Sequence, residues 1–199
     1  MRAIGLFRAL TLGGLVMIGH MAGADTTWTM GATGKGTARW TMEGAGITYR
    51  GGAAFGWAVT GEPLHDGFVE TRFRAVAGRE DRAGGVVWRW RDANDYYVAR
   101  ANALEDNVVA YKMVAGRRSD LKPVGADARA YGVRTKVASD VWHTLRVDFA
   151  GPEFVVSFDG ARLFSVRDET FAGAGRVGVW SKADSVTEFD AFRAGPPQR

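Results

Sequence analysis

The feature that most restricts this chain is a two-residue period of apolar side chains, interrupted at short intervals by turn residues. In VWHTLRVDFAG (141–151), Val141, Leu145, Val147 and Phe149 share one face, while Trp142, Thr144, Arg146 and Asp148 share the other. The next run, EFVVSFDG (153–160), puts Phe154, Val156 and Phe158 together, reaches the pair Asp159-Gly160 and returns through ARLFSV, which predicts a β-hairpin. GFVETRFRAVAG (67–78), GGVVWRWRD (84–92), DYYVARAN (95–102) and NVVAYKMVAG (107–116) repeat the pattern with short connections. The chain closes with GRVGVWSK (175–182) and SVTEFDAF (185–192). No window from Thr26 onward holds a 3.6-residue apolar stripe. The expectation is an all-β domain of ten or more antiparallel strands, each with one apolar face, stacked as two sheets. Gly116 to Ala138 reads either as two short strands or as a long loop.

Composition supports this reading: 27 Gly against 5 Pro, with 12% aromatic residues, suits many tight turns between aromatic-rich strands. The absence of Cys excludes a disulfide framework, a thiolate metal site and a Cys nucleophile.

Residues 1–24 stand apart. Arg2 and Arg8 precede an apolar run from Ala9 to Ile18, too short to span a bilayer, and Ala22-Gly23-Ala24 forms a small-x-small cleavage site. This predicts a signal peptide over 1–24, a sandwich domain over 25–194 and a frayed tail over 195–199, in a secreted or periplasmic protein with no membrane association after cleavage. The competing reading is an uncleaved or interfacial anchor helix. Cleavage removes two Arg and leaves 24 Lys and Arg against 22 Asp and Glu, a net charge of +2. The cations are scattered: Arg89, Arg91 and Arg100 alternate with Asp92 and Asp95, so no basic stripe suited to nucleic acid is present.

The series GGVVWRWRDANDYYVARAN, NVVAYK, SDVWHTLRVDFAG, FDGARLFSV and AGRVGVWSKADSVTEFDAF resembles the concanavalin A-like lectin/glucanase superfamily. Within it, residues 66–193 look similar to bacterial secreted family-16 glycoside hydrolase-like and 3-keto-disaccharide hydrolase-like domains. The resemblance implies a concanavalin A-like jelly roll and leaves activity open, because that superfamily spans lectins, adhesion modules and glucanases.

The chemistry-bearing groups are few. The Glu-x-Asp-x-x-Glu strand motif of family-16 glucanases is missing; the nearest fragment, Glu188-Phe189-Asp190, lacks a third carboxylate. The resemblance would allow a structural calcium at Asp190, the one metal candidate; no other cofactor is expected. His143 shares the parity of Leu145 and Val147 and reads as a core or edge histidine, while His65 sits in a turn; neither has a spacing suited to zinc. The stronger set is polar and aromatic: Arg89, Arg100, Asn102, Glu105, Asn107, Lys112, Trp180 and Lys182, gathered on one open sheet face if their strands are neighbours. Indole faces cover pyranose C–H patches, and planar Arg or Asn groups fork onto vicinal hydroxyls. Trp180 is the expected exposed platform, with Trp88 and Trp90 together on the opposite parity to Arg89.

Three functions follow. A non-catalytic carbohydrate-binding module on cell-surface or environmental glycans leads. A glycan-processing enzyme of the 3-keto-glycoside hydrolase or lyase type would use Glu105 as base, with Arg100 or Lys182 stabilising the oxyanion. A structural or protein-binding envelope module is the third.

Overall fold

The computed structural model describes residues 27–198, which form fifteen strands and, among the described residues, no helix. In chain order these are β1 (Thr29–Gly36), β2 (Trp40–Glu43), β3 (Gly46–Arg50), β4 (Ala53–Leu64), β5 (Gly67–Ala77), β6 (Ala83–Asp92), β7 (Asp95–Asn102) and β8 (Asn107–Val114). They continue as β9 (Arg117–Leu121), β10 (Val133–Arg134), β11 (Trp142–Ala150), β12 (Glu153–Phe158), β13 (Ala161–Arg167), β14 (Gly175–Ala183) and β15 (Val186–Gly195). The segment Gly116 to Ala138 thus holds two short strands, β9 and β10, both paired to β8, joined by a loop. The signal-peptide segment lies outside the described residues.

Two antiparallel sheets face each other. One has eight strands in the order β1-β4-β14-β6-β7-β8-β10, with β9 also on β8; the other has seven, in the order β13-β12-β11-β5-β15-β3-β2. Alternation explains the core between them. Val147, Phe149, Val156, Phe158 and Phe73 from the seven-stranded sheet meet Val86, Trp88, Tyr97, Val177 and Val179 from the other, all buried in one cluster. The predicted hairpin β12–β13 turns at Asp159 and Gly160, whose φ values of 47° and 79° are the two left-handed residues of a type I′ turn.

A second buried cluster draws its residues from the eight-stranded sheet alone: Trp57, Val59, Val87, Tyr96, Val98, Val109, Tyr111, Met113 and Trp180. These positions alternate with the inter-sheet residues, so they lie on the outer face of that sheet. Apolar residues on both faces explain why β6, β7 and β8 are buried along nearly their whole length.

One strand departs from simple alternation. Arg89 has φ 47°, and the β6–β7 register shifts beyond Trp88. The extra residue of this bulge sends Arg89 to the inter-sheet side along with Trp88. Trp90 emerges on the outer face, 4.9 Å from Trp57. The expected grouping of Trp88 with Trp90 is therefore corrected.

Candidate functional site

The outer face of the eight-stranded sheet carries a polar network beside its aromatic cluster. Across the β7–β8 ladder Arg100 opposes Val109 and Asn102 opposes Asn107, and directly opposed residues share a face. Arg100, Asn102, Asn107 and Tyr111 therefore point outward together. The connecting turn, with Asp106 at φ 47°, swings Glu105 back over them. Arg100 Nη2 donates to Glu105 Oε2 at 2.8 Å, Nη1 to Asn107 Oδ1 at 2.6 Å, and Nε and Nη2 to the Tyr111 hydroxyl at 3.2 and 2.9 Å. Asn107 Nδ2 donates to Glu105 Oε2 at 3.0 Å and Asn102 Nδ2 to Glu105 Oε1 at 3.1 Å.

The network continues sideways. Asn102 Nδ2 also donates to Asp81 Oδ1 at 2.7 Å, and the other Asp81 oxygen receives Lys182 Nζ at 2.5 Å. Asp81 is held in place by the Asp184 carboxylate, which accepts the backbone N–H groups of Arg79, Glu80 and Asp81. Those three backbone bonds, led by Arg79, hold the Asp184 carboxyl below its ordinary range. At the other end, Tyr131 from the β9–β10 loop meets the Tyr111 hydroxyl in a short hydrogen bond and accepts from Arg100 Nη2 at 3.3 Å. The two phenol hydroxyls share one hydrogen bond in which either can donate, and Arg100 Nη2 divides its two hydrogens among Glu105, Tyr111 and Tyr131.

Burial decides which groups reach a ligand. The Arg100 side chain is 0% exposed and its guanidinium is committed to the network, as is buried Asn102. Both lie buried beneath the exposed groups, although the sequence reading placed them as ligand contacts. Exposed groups are Tyr131, at 44%, and the Glu105 side chain, at 39%. Partial burial pushes the Glu105 carboxyl up, but Arg100, Asn107 and Lys182 outweigh it and keep the carboxyl below its ordinary value. Burial and the Tyr131 bond raise the Tyr111 phenol against the opposing pull of Arg100, so it stays protonated.

Of the eight expected site residues, Arg100, Asn102, Glu105, Asn107 and Lys182 converge. Trp180 shares their face but is fully buried, stacked on Phe55 at 5.7 Å, so it is a floor and not an exposed platform. Arg89 lies elsewhere: the bulge turns it between the sheets, where it donates to the carbonyls of His65, Phe171 and Gly151 at 3.0, 2.8 and 2.7 Å. Lys112 opposes Tyr97 in the ladder, which is inter-sheet parity, and pairs with Asp168 at 2.7 Å. Asp190 has both oxygens on the Arg72 guanidinium, at 2.8 and 2.6 Å, so an ion pair occupies the candidate calcium position. Among the described residues no group of three or more His, Asp or Glu side chains converges as a metal site. His143 is buried, with Nδ1 2.8 Å from Asp159 Oδ2, as its parity predicts for a satisfied histidine.

Four contributors were missed by sequence reasoning. Tyr111 could have been found, since it shares the parity of Val109 and Met113 on the strand beside Arg100. Asp81, Arg118 and Tyr131 come from a loop, an edge strand and a second loop, where no period signals a face. Arg118 lies across the aromatic cluster, its guanidinium carbon 4.7 Å from the Tyr111 ring centre and 5.5 Å from that of Phe55.

No family model and no curated protein matches the chain. Among solved structures it is similar to the carbohydrate-binding module CBM66 from Bacillus subtilis, with TM-score 0.71 and 19% identity over 85% of this chain and 96% of that one. A protein of unknown function with a galectin-like fold, also from Bacillus subtilis, gives TM-score 0.55 and 10% identity over 84% and 88% of the two chains. The GH43 protein BlXynB from Bacillus licheniformis matches at TM-score 0.52 and 16% identity, over 69% of this chain but 29% of its own length. Sheet order, two-faced burial and these likenesses agree that the chain has a two-sheet antiparallel β-sandwich fold.

Proposed function

We propose that this chain is an exported, non-catalytic carbohydrate-binding module that takes its glycan on the outer face of the eight-stranded sheet. The observation that carries the reading is Tyr131: an exposed ring held through its hydroxyl beside the Arg100–Glu105 pair, whose carboxylate is itself 39% exposed. An aromatic ring beside a carboxylate with an exposed edge is what a pyranose needs, a stacking surface for its C–H patch and an acceptor for a hydroxyl. The fold likeness to a carbohydrate-binding module supports the same reading.

Catalysis is disfavoured by the same geometry. Glu105 already accepts three hydrogen bonds and is held ionised, which makes it a poor acid and a weak base. The neighbouring carboxylate, Asp81, is 4% exposed and bound by Asn102 and Lys182, so it supplies no second catalytic group of the kind glycosidases use. Export rests on Arg2, Arg8, the Ala9–Ile18 run and Ala22-Gly23-Ala24.

Glycan-array binding and turnover of 3-keto-disaccharides, measured on wild type, Tyr131→Ala and Glu105→Gln, test the reading. Binding by wild type that weakens in both variants, without turnover, is expected. Turnover abolished by Glu105→Gln would replace the module with an enzyme, and absence of any glycan binding would end the carbohydrate reading. N-terminal sequencing of exported protein should begin at Asp25.

A further inference from the structure

Beside the Tyr131 platform lies a cavity of about 620 Å³ whose charge is out of balance. Lys35, Arg39, Arg50, Arg118 and Lys182 line it, against Glu80 and Asp184. Some of these charges are already matched. Lys182 pairs with Asp81 at 2.5 Å and Arg50 with Glu43 at 2.6 Å, while Arg39 spends Nε and Nη2 on the Arg50 carbonyl at 3.0 and 2.7 Å. Asp184 is consumed by three backbone N–H groups of the adjoining turn. Among the described residues Lys35 and Arg118 make no ion pair and both are exposed; Arg39 likewise meets no carboxylate, and the exposed Glu80 is the lining's one anion without an ion pair or backbone bonds.

Arg118 links this cavity to the saccharide face. It opposes Met113 across the β8–β9 ladder, so it stands on the outer face, and its guanidinium lies over Tyr111 while reaching the Phe55 wall of the cavity. A guanidinium held over aromatic rings spends none of its N–H groups on a carboxylate there, and those groups are the part that forks onto a carboxylate. Stacking also strips some of its water, which lowers the cost of exchanging solvent for an anion. Arg118 covers part of the aromatic outer face, and among the described residues no carboxylate pairs with its charge.

We propose that the glycan of this module is acidic: a uronic-acid oligosaccharide with one sugar on Tyr131 and a carboxylate received in the cavity by Arg118 and Lys35. This rests on the carbohydrate reading above and adds to it the chemical class of the ligand. The cation excess would also steer an anionic chain to the face, an effect that salt screens.

Isothermal titration of the full chain with oligogalacturonate, and with the same oligosaccharide after reduction of its carboxyl groups to alcohols, tests the proposal. At about 50 mM salt the acid should bind roughly tenfold more tightly than its reduced form, and the gap should narrow as salt approaches about 0.5 M. Arg118→Gln and Lys35→Gln, both at exposed positions, should together bring the affinity for the acid down to that for the neutral form while the circular dichroism stays unchanged. Neutral oligosaccharides bound as tightly as acidic ones would overturn this inference and leave the carbohydrate reading standing. A preference for acid that survives both substitutions would overturn the assigned site, and a sulfated neutral glucan bound more tightly than the uronate would overturn the carboxylate. If neither acidic nor neutral glycans bind, the carbohydrate reading falls and this inference with it.

Discussion

Replacing Arg100 by Met keeps an unbranched apolar stem, shortens it by the end of the guanidinium and removes every hydrogen bond it makes. Tyr111 loses both N–H donors, Asn107 Oδ1 loses a bond of 2.6 Å, and Glu105 loses its counter-ion at 2.8 Å. Breaking a buried ion pair by removing one partner costs about 3–5 kcal/mol, and each buried polar group left without a partner about 1–3 kcal/mol. Two effects pull the total down: Glu105 is 39% exposed and so rehydrates, and the cation no longer has to be desolvated. The net expectation is a loss of about 3 kcal/mol. For a domain of this size that is a melting point lower by about 6–12 °C, or a urea midpoint lower by about 1–1.5 M. Chemical denaturation of wild type, Arg100→Met, Glu105→Gln and the double variant makes a cycle whose coupling should exceed about 1 kcal/mol, because each single change strands the other partner. A loss below about 0.5 kcal/mol for Arg100→Met, or additive costs in the cycle, would refute the claim that this pair anchors the face.

Phe158→Ala, which opens the inter-sheet core between Phe73 and His143, should cost about 3–5 kcal/mol in urea denaturation. Trp180→Ala should act chiefly on stability because its ring is buried, whereas Tyr131→Ala should weaken glycan binding with a small stability change; calorimetry paired with thermal melts separates the two. Stability should fall as the medium is acidified. Backbone bonds depress the Asp184 carboxyl, and at Glu105 and Asp168 the cationic partners Arg100 and Lys112 overcome the upward push of burial. A carboxyl lower in the folded than in the unfolded chain contributes stability above its unfolded value, near pH 4, and loses it as pH drops through the folded value. Melting curves from about pH 7 to pH 3 should show this decline, with a shallower slope in Asp184→Asn; stability that rises below about pH 4 would contradict it.

The fold was legible because burial between two sheets imposes a period of two that survives errors in any one strand. Phe149, Val156, Phe158, Val177 and Val179 are inter-sheet residues whatever happens at the strand ends. The site is less forgiving, since it depends on single positions. A residue in the left-handed region shifts everything after it by one, and at Arg89 that residue is not a glycine, so the sequence carries no mark of the bulge. The shift alone removes Arg89 from the outer face and brings Trp90 onto it. Lys112 failed for a different reason: it lies five residues from Asn107 on the unbroken strand β8, so the strand's own alternation already puts the two on opposite faces.

Trp180 shows why facing outward and being exposed are separate properties. Alternation places it on the outer face correctly, yet Phe55 stacks on it from the neighbouring β4, and β9 lays Arg118 across the Phe55 ring. A sheet that is apolar on both faces has to cover the second one, and here the cover is made of side chains that also carry charge or a hydroxyl: Arg118 and Tyr131, from an edge strand and a loop. The covering residues are therefore the exposed ones, and the strand residues beneath them, Arg100 and Asn102 included, set their positions. Periodicity reads the supporting layer, while the exposed layer above it is supplied by segments whose placement depends on what they pack against.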